Sequence, residues 1–152
     1  MEFKTSIVYV ADDGTQFVTE AECKAYEEKT AKVKAEREEE ERMLAEKKKR
    51  LRELNTVIDI IPLTEHTLDP ELWYFRWFKV NNEDDYKFID SIVEYGTTKP
   101  DQYPAYICLE SEDDPLETVS ATYADKLRAS IEEAKWFFKQ FGYDCVITKK
   151  EE

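Results

Sequence analysis

The sequence contains little glycine and almost no histidine. Its 152 residues include 3 glycines and a single histidine, His66. A P-loop or a dinucleotide-binding fingerprint needs two or three glycines close together at fixed spacing, and the glycines here lie far apart. The sequence therefore excludes both kinds of nucleotide site, and it leaves one imidazole for acid–base chemistry.

Cysteine is also scarce. The 3 cysteines, Cys23, Cys108 and Cys145, are an odd number and match no zinc-site spacing. We therefore expect reduced thiols, no structural metal and no cofactor. The N-terminus lacks the apolar segment of a signal peptide, and no apolar run approaches the roughly 18 residues of a membrane span. We expect a cytoplasmic protein with no membrane partner.

Negative charge is abundant. The chain has 35 acidic and 22 basic residues, a formal net charge of −13. Residues 55–152 hold 21 acids and 10 bases, so they carry −11 of that total. A surface of this sign repels nucleic acid and membrane phosphates, and it attracts basic protein surfaces. The charge indicates a protein partner with a basic surface and no direct nucleic-acid binding. The alternative is that it serves solubility alone.

The first part of the chain predicts a hairpin followed by a helix. β-prone runs at 6–10 and 15–18 flank an Asp-Gly pair, which is typical of a tight two-residue turn with positive φ at both positions. Thr19 and Glu22 then form a T-x-x-E capping box, in which each side chain can bond the other residue's backbone N–H. A helix is therefore expected to begin at Glu20.

No proline or glycine interrupts the helix formers between Glu20 and Leu54, so we expect a helix of roughly 50 Å. A heptad seam runs along it, but Arg37, Glu40 and Lys47 interrupt the apolar positions. The candidate oligomerisation residues are Val33, Leu44, Leu51 and Leu54. A homodimer through this helix and a single helix resting on its own domain are both compatible with the pattern.

Residues 55–152 predict an acidic mixed α/β sheet domain. We expect strands over 56–61, 72–80, 103–110 and 143–148, with a loop at 63–70 and helices from Asn82 to Gly96 and over 119–141. The fold class is α+β: a β-hairpin and a long, charged, coiled-coil-like helix in residues 1–54, followed by this domain.

Two sets of side chains in the second part are candidate partner-binding residues. The acidic set is Glu83, Asp84, Asp85, Glu110, Glu112, Asp113, Asp114 and Glu117. The order of these acids along the sequence does not match that of a calcium-binding loop, so no metal site is predicted. The aromatic set is Trp73, Trp77 and Trp136. Aromatic anchors among acids are typical of a protein-binding surface. Alternatively, the long helix or the 56–61 strand covers these rings.

His66 is the basis of a competing enzymatic interpretation. It lies in "TEHTL", which is similar to half of a two-histidine phosphoesterase signature, but the chain has no second histidine. With Glu65 beside it, His66 could still act as a lone general base in a hydrolytic or small-ligand-binding site. We predict no catalytic residue. A third interpretation is an oligomeric structural or assembly protein built on the long helix.

The stretch "DGTQFVTEAECKAYE" resembles an N-terminal element of small bacteriophage-encoded accessory proteins. The match rests on Asp13, Gly14, Phe17, Glu22, Cys23, Tyr26 and Glu27. As a group, proteins of this kind bind and disable host machinery, including CRISPR and restriction systems, some by imitating the charge of DNA. The resemblance implies a non-enzymatic inhibitor or adaptor in the host cytosol, acting on a defence or nucleic-acid-binding complex.

Overall fold

A computed structural model describes residues 7–63, 73–124 and 126–150 of the chain. It confirms an α+β fold with an N-terminal hairpin and a long helix. The chain divides into two compact units, Met1–Ala45 and Glu46–Glu152, so the division falls within the long helix, whereas the sequence places it after Leu54. The elements are β1 (Tyr9–Val10), β2 (Gln16–Phe17), α1 (Glu20–Leu54), β3 (Tyr74–Val80), α2 (Glu83–Asp90), β4 (Ala105–Ser111), α3 (Pro115–Thr118) and α4 (Lys126–Gln140).

The hairpin of the first unit has a longer loop than predicted. Strands β1 and β2 pair antiparallel and leave Ala11–Thr15 between them. Only Gly14 in this loop has positive φ, at +88°, so the expected two-residue turn is wrong. The Asp13 carboxylate accepts a hydrogen bond from the Thr15 N–H at 2.9 Å, and the Gly14 N–H donates to the Ala11 carbonyl at 2.8 Å. These two bonds close the wider loop.

Helix α1 begins at Glu20, as predicted. Thr19 Oγ1 accepts a bond from the Glu22 N–H at 3.3 Å and donates to Glu22 Oε2 at 2.9 Å, so the reciprocal bond of the capping box runs between side chains. The Phe17 and Tyr26 rings lie 5.0 Å apart, and the Tyr26 hydroxyl donates to Asp13 Oδ2 at 2.7 Å. These contacts attach the hairpin to the first turns of α1.

The second unit is built on the antiparallel pair of β3 and β4, with Trp77 opposite Cys108. Successive side chains of a strand point to opposite faces of the sheet. One face is sealed by the end of α1, by α2 and by the segment after α3. The buried residues of this core are Leu51, Leu54, Phe78, Val80, Ile89, Ile92, Val93, Ile107, Leu109, Val119 and Ala121.

The opposite face of the sheet carries Trp77 and Cys108, and α4 packs against β4. The Trp77 indole N–H donates to the Ile60 carbonyl at 2.7 Å, which attaches the segment 56–63 to this face. The sheet is therefore covered by helices on both faces. The second face is covered less completely than the first, because Ile60 and Ile61 remain exposed on it.

Two predicted strands are wrong. In the segment 56–61, the Thr56 N–H donates to the Trp77 carbonyl, but the next bond goes from the Ile58 N–H to Thr56 Oγ1. This local side-chain bond ends the pairing after one residue. The segment 143–148 pairs with no strand in the described part of the chain, and Val146 is exposed. Leu72 and most of the predicted 63–70 loop lie outside the described residues.

Two predicted helices are too long. Asn82 caps α2 as expected, but the helix ends at Asp90, because Ile92 and Glu94 bond to Ala121 in an extended pairing. The predicted helix over 119–141 begins only at Lys126. Val119 has a left-handed conformation with φ +56°, and such a residue cannot start a helix. Gly142, with φ +82°, ends α4 as predicted.

The core position of Leu51 gives a test of the fold. Leu51 is fully buried, whereas Leu44 on the same helix is 44% exposed. We expect Leu51→Ala to lower the free energy of unfolding by about 2–5 kcal/mol. The control Leu44→Ala should lower it by less than about 1 kcal/mol. Urea unfolding followed by circular dichroism measures both. Equal effects would place Leu51 outside the core.

Candidate partner-binding site

Most of the predicted acidic residues already have partners within the chain. Asp85 accepts bonds from the Asn81 N–H at 3.0 Å and from Arg50 at 3.4 Å. Glu83 pairs with Lys99 at 3.2 Å and with Lys87 at 3.4 Å. The Lys99 hydrogen bond holds the pKa of Glu83 below its ordinary value. Both carboxylates therefore stabilise the start of α2 and the loops beside it.

Glu110 is buried and cannot reach a partner protein. Its carboxylate Oε2 lies 2.7 Å from the Lys126 ammonium group, and both side chains are largely enclosed. The same ammonium lies 5.0 Å from the centre of the Tyr123 ring. The Glu110 backbone also bonds with the Tyr123 backbone through N–H and carbonyl groups. This ion pair fixes the start of α4 against β4.

Asp114 and Glu117 hold α3 in place. Asp114 caps α3 through the Leu116 N–H at 3.1 Å and forms a two-bond pair with Arg76 at 2.7 and 3.3 Å. Burial raises the pKa of Asp114, but the bonds from Arg76 and Leu116 outweigh it, so the pKa lies below 3.8. Glu117 binds Arg52 at 2.9 Å and Lys48 at 3.3 Å, which lowers its pKa as well.

Three acidic candidates remain available to a partner. Asp84, Glu112 and Asp113 are exposed, and they form no hydrogen bond or ion pair through their side chains with any described residue. The eight predicted acids therefore fall into two groups. Five of its eight members stabilise the fold, and these three can act at the surface.

The three predicted tryptophans are found in different environments. Trp77 is 6% exposed and bonded to Ile60, so it belongs to the interior and not to a docking surface. Trp73 is half-buried. Trp136, on α4, is 57% exposed. Of the predicted aromatic anchors, Trp136 alone is mainly exposed.

Trp136 is one of five exposed aromatic residues between positions 136 and 143, and the other four are not among the predicted partner-binding residues. We call these five residues the aromatic surface, and they are Trp136, Phe137, Phe138, Phe141 and Tyr143. The Phe137 ring lies 5.6 Å from that of Phe138 and 5.3 Å from that of Phe141. Phe138 and Phe141 follow the helical spacing of the half-buried Leu127 and Ile131, so periodicity predicted them as core, yet both are exposed.

Charges of both signs lie beside the aromatic surface. Lys135 and Lys139 lie on the same turns of α4, and Lys135 pairs with Glu132 at 2.9 Å. Residues 135–150 contain four lysines and a single acid, Asp144. Glu132 and Glu133 lie four and three residues before Trp136 on α4, so acids as well as lysines lie beside its ring, and the setting of aromatic anchors among acids stays a prediction.

The oligomerisation candidates also separate into two groups. Leu51 and Leu54 are buried in the core of the second unit, so they cannot line a contact with another chain. Val33 and Leu44 are exposed. Two apolar positions are too few for the sustained heptad seam that a stable coiled coil requires.

The described residues contain neither a metal-binding group nor a helix that could span a membrane. No group of three His, Cys, Asp or Glu side chains there could hold a metal ion. His66 and Glu65 lie outside the described residues, so the lone-base hypothesis has no geometry to support it. No described helix is both long and apolar enough to cross a bilayer.

The ion pair between Asp114 and Arg76 can be tested by measuring stability as a function of pH. Asn caps a helix as well as Asp does, so Asp114→Asn removes the charge and keeps the cap. We expect it to lower the free energy of unfolding by about 1–2 kcal/mol at pH 7, because the pair is partly exposed.

Because the folded pKa of Asp114 lies below the unfolded value of 3.8, its charge stabilises the fold above that pH and ceases to do so as the pH falls through the folded pKa. The difference between wild type and Asp114→Asn should shrink over that range in urea titrations. Asp113→Asn, at an exposed neighbour, is the control. A difference that does not change with pH would contradict the pairing.

The homodimer prediction can be tested by sedimentation velocity. With Leu51 and Leu54 in the core, we expect a monomer, and Leu44→Glu should sediment like the wild type. A concentration-dependent dimer that Leu44→Glu dissociates would instead establish pairing through α1.

Comparison with known proteins gives no assignment. No protein-family model, curated protein or solved structure matches the chain. The geometry of the second unit is therefore the basis for a functional proposal.

Proposed function

We propose that the protein is a non-enzymatic inhibitor or adaptor that binds another protein through the aromatic surface of α4. The observation that carries this proposal is the exposure of five aromatic side chains between residues 136 and 143, three of which are in ring contact. Contiguous exposed apolar patches are uncommon on monomeric proteins and typically mark interaction sites. Tryptophan and tyrosine are also enriched among the residues that dominate binding energy.

The charge of the chain defines the partner. A net charge of −13 attracts a protein with a basic surface over distances of about 10 Å at moderate salt. Asp84, Glu112 and Asp113 are the acids available for direct contact. Lys135 and Lys139 border the aromatic surface, so the part of the partner that faces them is apolar or acidic.

The biological context in this proposal comes from the resemblance of residues 13–27 to phage accessory proteins. Host complexes that bind nucleic acid, including CRISPR and restriction systems, have the basic surfaces that such a charge would attract. We propose a target of this class. Occlusion by the aromatic surface fits the described geometry better than imitation of DNA charge, because most of the predicted acids are paired within the chain.

A matched pair of variants tests the aromatic surface. The wild type, Trp136→Ala/Phe141→Ala and Val57→Ala are immobilised and exposed to bacterial host extract. Val57 is a fully exposed apolar residue outside the aromatic surface. A partner should be retained by the wild type and by Val57→Ala. We expect the double variant to bind it at least about tenfold more weakly, as is usual for loss of an interface anchor.

The charge part of the proposal is measured on the purified partner. Its association rate should fall as salt rises, whereas the dissociation rate should respond mainly to the aromatic substitutions. Equal binding by the double variant and by Val57→Ala would show that the aromatic surface is not the docking site. A complete absence of partners in extracts at low salt would contradict the proposed function.

A further inference from the structure

A cavity of about 360 Å³ lies between α4 and the second face of the sheet. Its lining side chains are apolar apart from the Ser130 hydroxyl, the Trp77 indole N–H and the Tyr106 hydroxyl. Ser130 Oγ accepts a bond from the Leu63 N–H at 3.0 Å, and the Trp77 N–H donates to the Ile60 carbonyl. The polar groups of Ser130 and Trp77 are therefore engaged with the segment 60–63, and most of the remaining lining is hydrocarbon.

A second cavity, of about 510 Å³, adjoins the first. The two share four wall residues, which are Tyr106, Leu127, Ile131 and Ile147. The second cavity differs in charge, because three cations, Lys99, Arg128 and Lys149, and one acid, Asp101, line it. A cavity with an excess of positive charge is notable in a chain of net charge −13. An apolar cavity and a cationic cavity therefore lie side by side.

The cations of the second cavity are not equally available. Lys99 pairs with Glu83, and the Lys149 ammonium donates to the Pro104 carbonyl. Arg128 is exposed and makes no ion pair or hydrogen bond through its side chain with any described residue. A guanidinium group presents paired N–H donors that match the two oxygens of a carboxylate or phosphate. Arg128 is therefore the strongest anion-binding group of the site.

We propose that the two cavities form one binding site for an amphipathic anion, with its hydrocarbon chain in the first cavity and its carboxylate or phosphate head in the second, beside Arg128. A hydrocarbon chain needs no hydrogen bonds, which suits the apolar lining. Water is a poor occupant there, because it requires two to four polar partners. The volume of the first cavity falls within the range of small-molecule sites. This site is independent of the partner-binding proposal.

Straight-chain carboxylates test the apolar cavity. Octanoate, decanoate and dodecanoate, each below its micelle concentration, are titrated into the full-length protein by calorimetry. Each added methylene that becomes buried should tighten binding about fourfold until the cavity is full. Ala134 lines the first cavity, so Ala134→Trp should fill it and abolish dodecanoate binding without unfolding the protein, which circular dichroism checks.

The head group is tested separately with Arg128→Gln. We expect this variant to bind dodecanoate about tenfold more weakly, as for the loss of a charge-assisted hydrogen bond. Arg42→Gln, an equivalent change in the first unit, is the control and should bind like the wild type. Dodecyl phosphate in place of dodecanoate shows which head the site prefers, and preference for either anion supports the site.

Several results would overturn the proposal. They are no dodecanoate binding at millimolar concentration, affinity that does not change with chain length, and equal affinities of Arg128→Gln and Arg42→Gln. Should Ala134→Trp fail to fold, the chain-length series and the arginine pair still decide. Trp136→Ala/Phe141→Ala distinguishes this site from partner binding, because that variant should lose the protein partner and keep dodecanoate.

Discussion

The second unit depends on a two-stranded sheet that must be covered on both faces. A pair of strands is marginal in water by itself, so its stability comes from what packs against it. The first face meets α2 and the last turns of α1, and Phe78, Ile107 and Leu109 are almost fully buried there. The second face has α4 and an irregular segment. Because this second cover is incomplete, both candidate sites lie on its side of the sheet.

Helix α4 serves two purposes along its length. Its first turns carry Leu127, Ile131 and Ala134 over the sheet, where they line the apolar cavity. Its last turns and the residues that follow them carry the aromatic surface into solvent. The buried pair of Glu110 and Lys126 holds the start of the helix against β4. Such a pair gives little net stability but disfavours other packings, because a shift of α4 would leave a buried charge without a partner.

The sequence predicted what local chemistry determines. The start of α1, the Asn82 cap and the Gly142 stop all depend on neighbours a few residues away, and β3 and β4 are rich in residues with high local β propensity. It failed where a distant partner decides. The apolar segments 56–61 and 143–148 have the composition of strands, but a strand also needs a free edge with matching register, and composition carries no information on that.

The candidate site was predictable in part for the same reason. Trp136 was identified because it departs from the apolar stripe of its helix. Phe138 and Phe141 were missed because they follow that stripe beyond the region where α4 is covered. The partners of the acids were not predictable either, since Arg52 and Lys48 meet Glu117 across more than sixty positions of sequence. A pattern identifies a charge or an apolar side chain, and tertiary contacts determine whether it faces a partner.

Internal pairing changes what the net charge of −13 can do. At contact distance, Glu117 and Asp114 are balanced by cations of the same chain, so they offer little to a partner. At longer range the field depends on the total charge, which internal ion pairs do not alter. The excess of acids can therefore raise the rate of approach of a basic protein, whereas the lifetime of a complex depends on what is desolvated at contact. Burial of the aromatic surface at contact would supply apolar desolvation and so lengthen the lifetime of the complex.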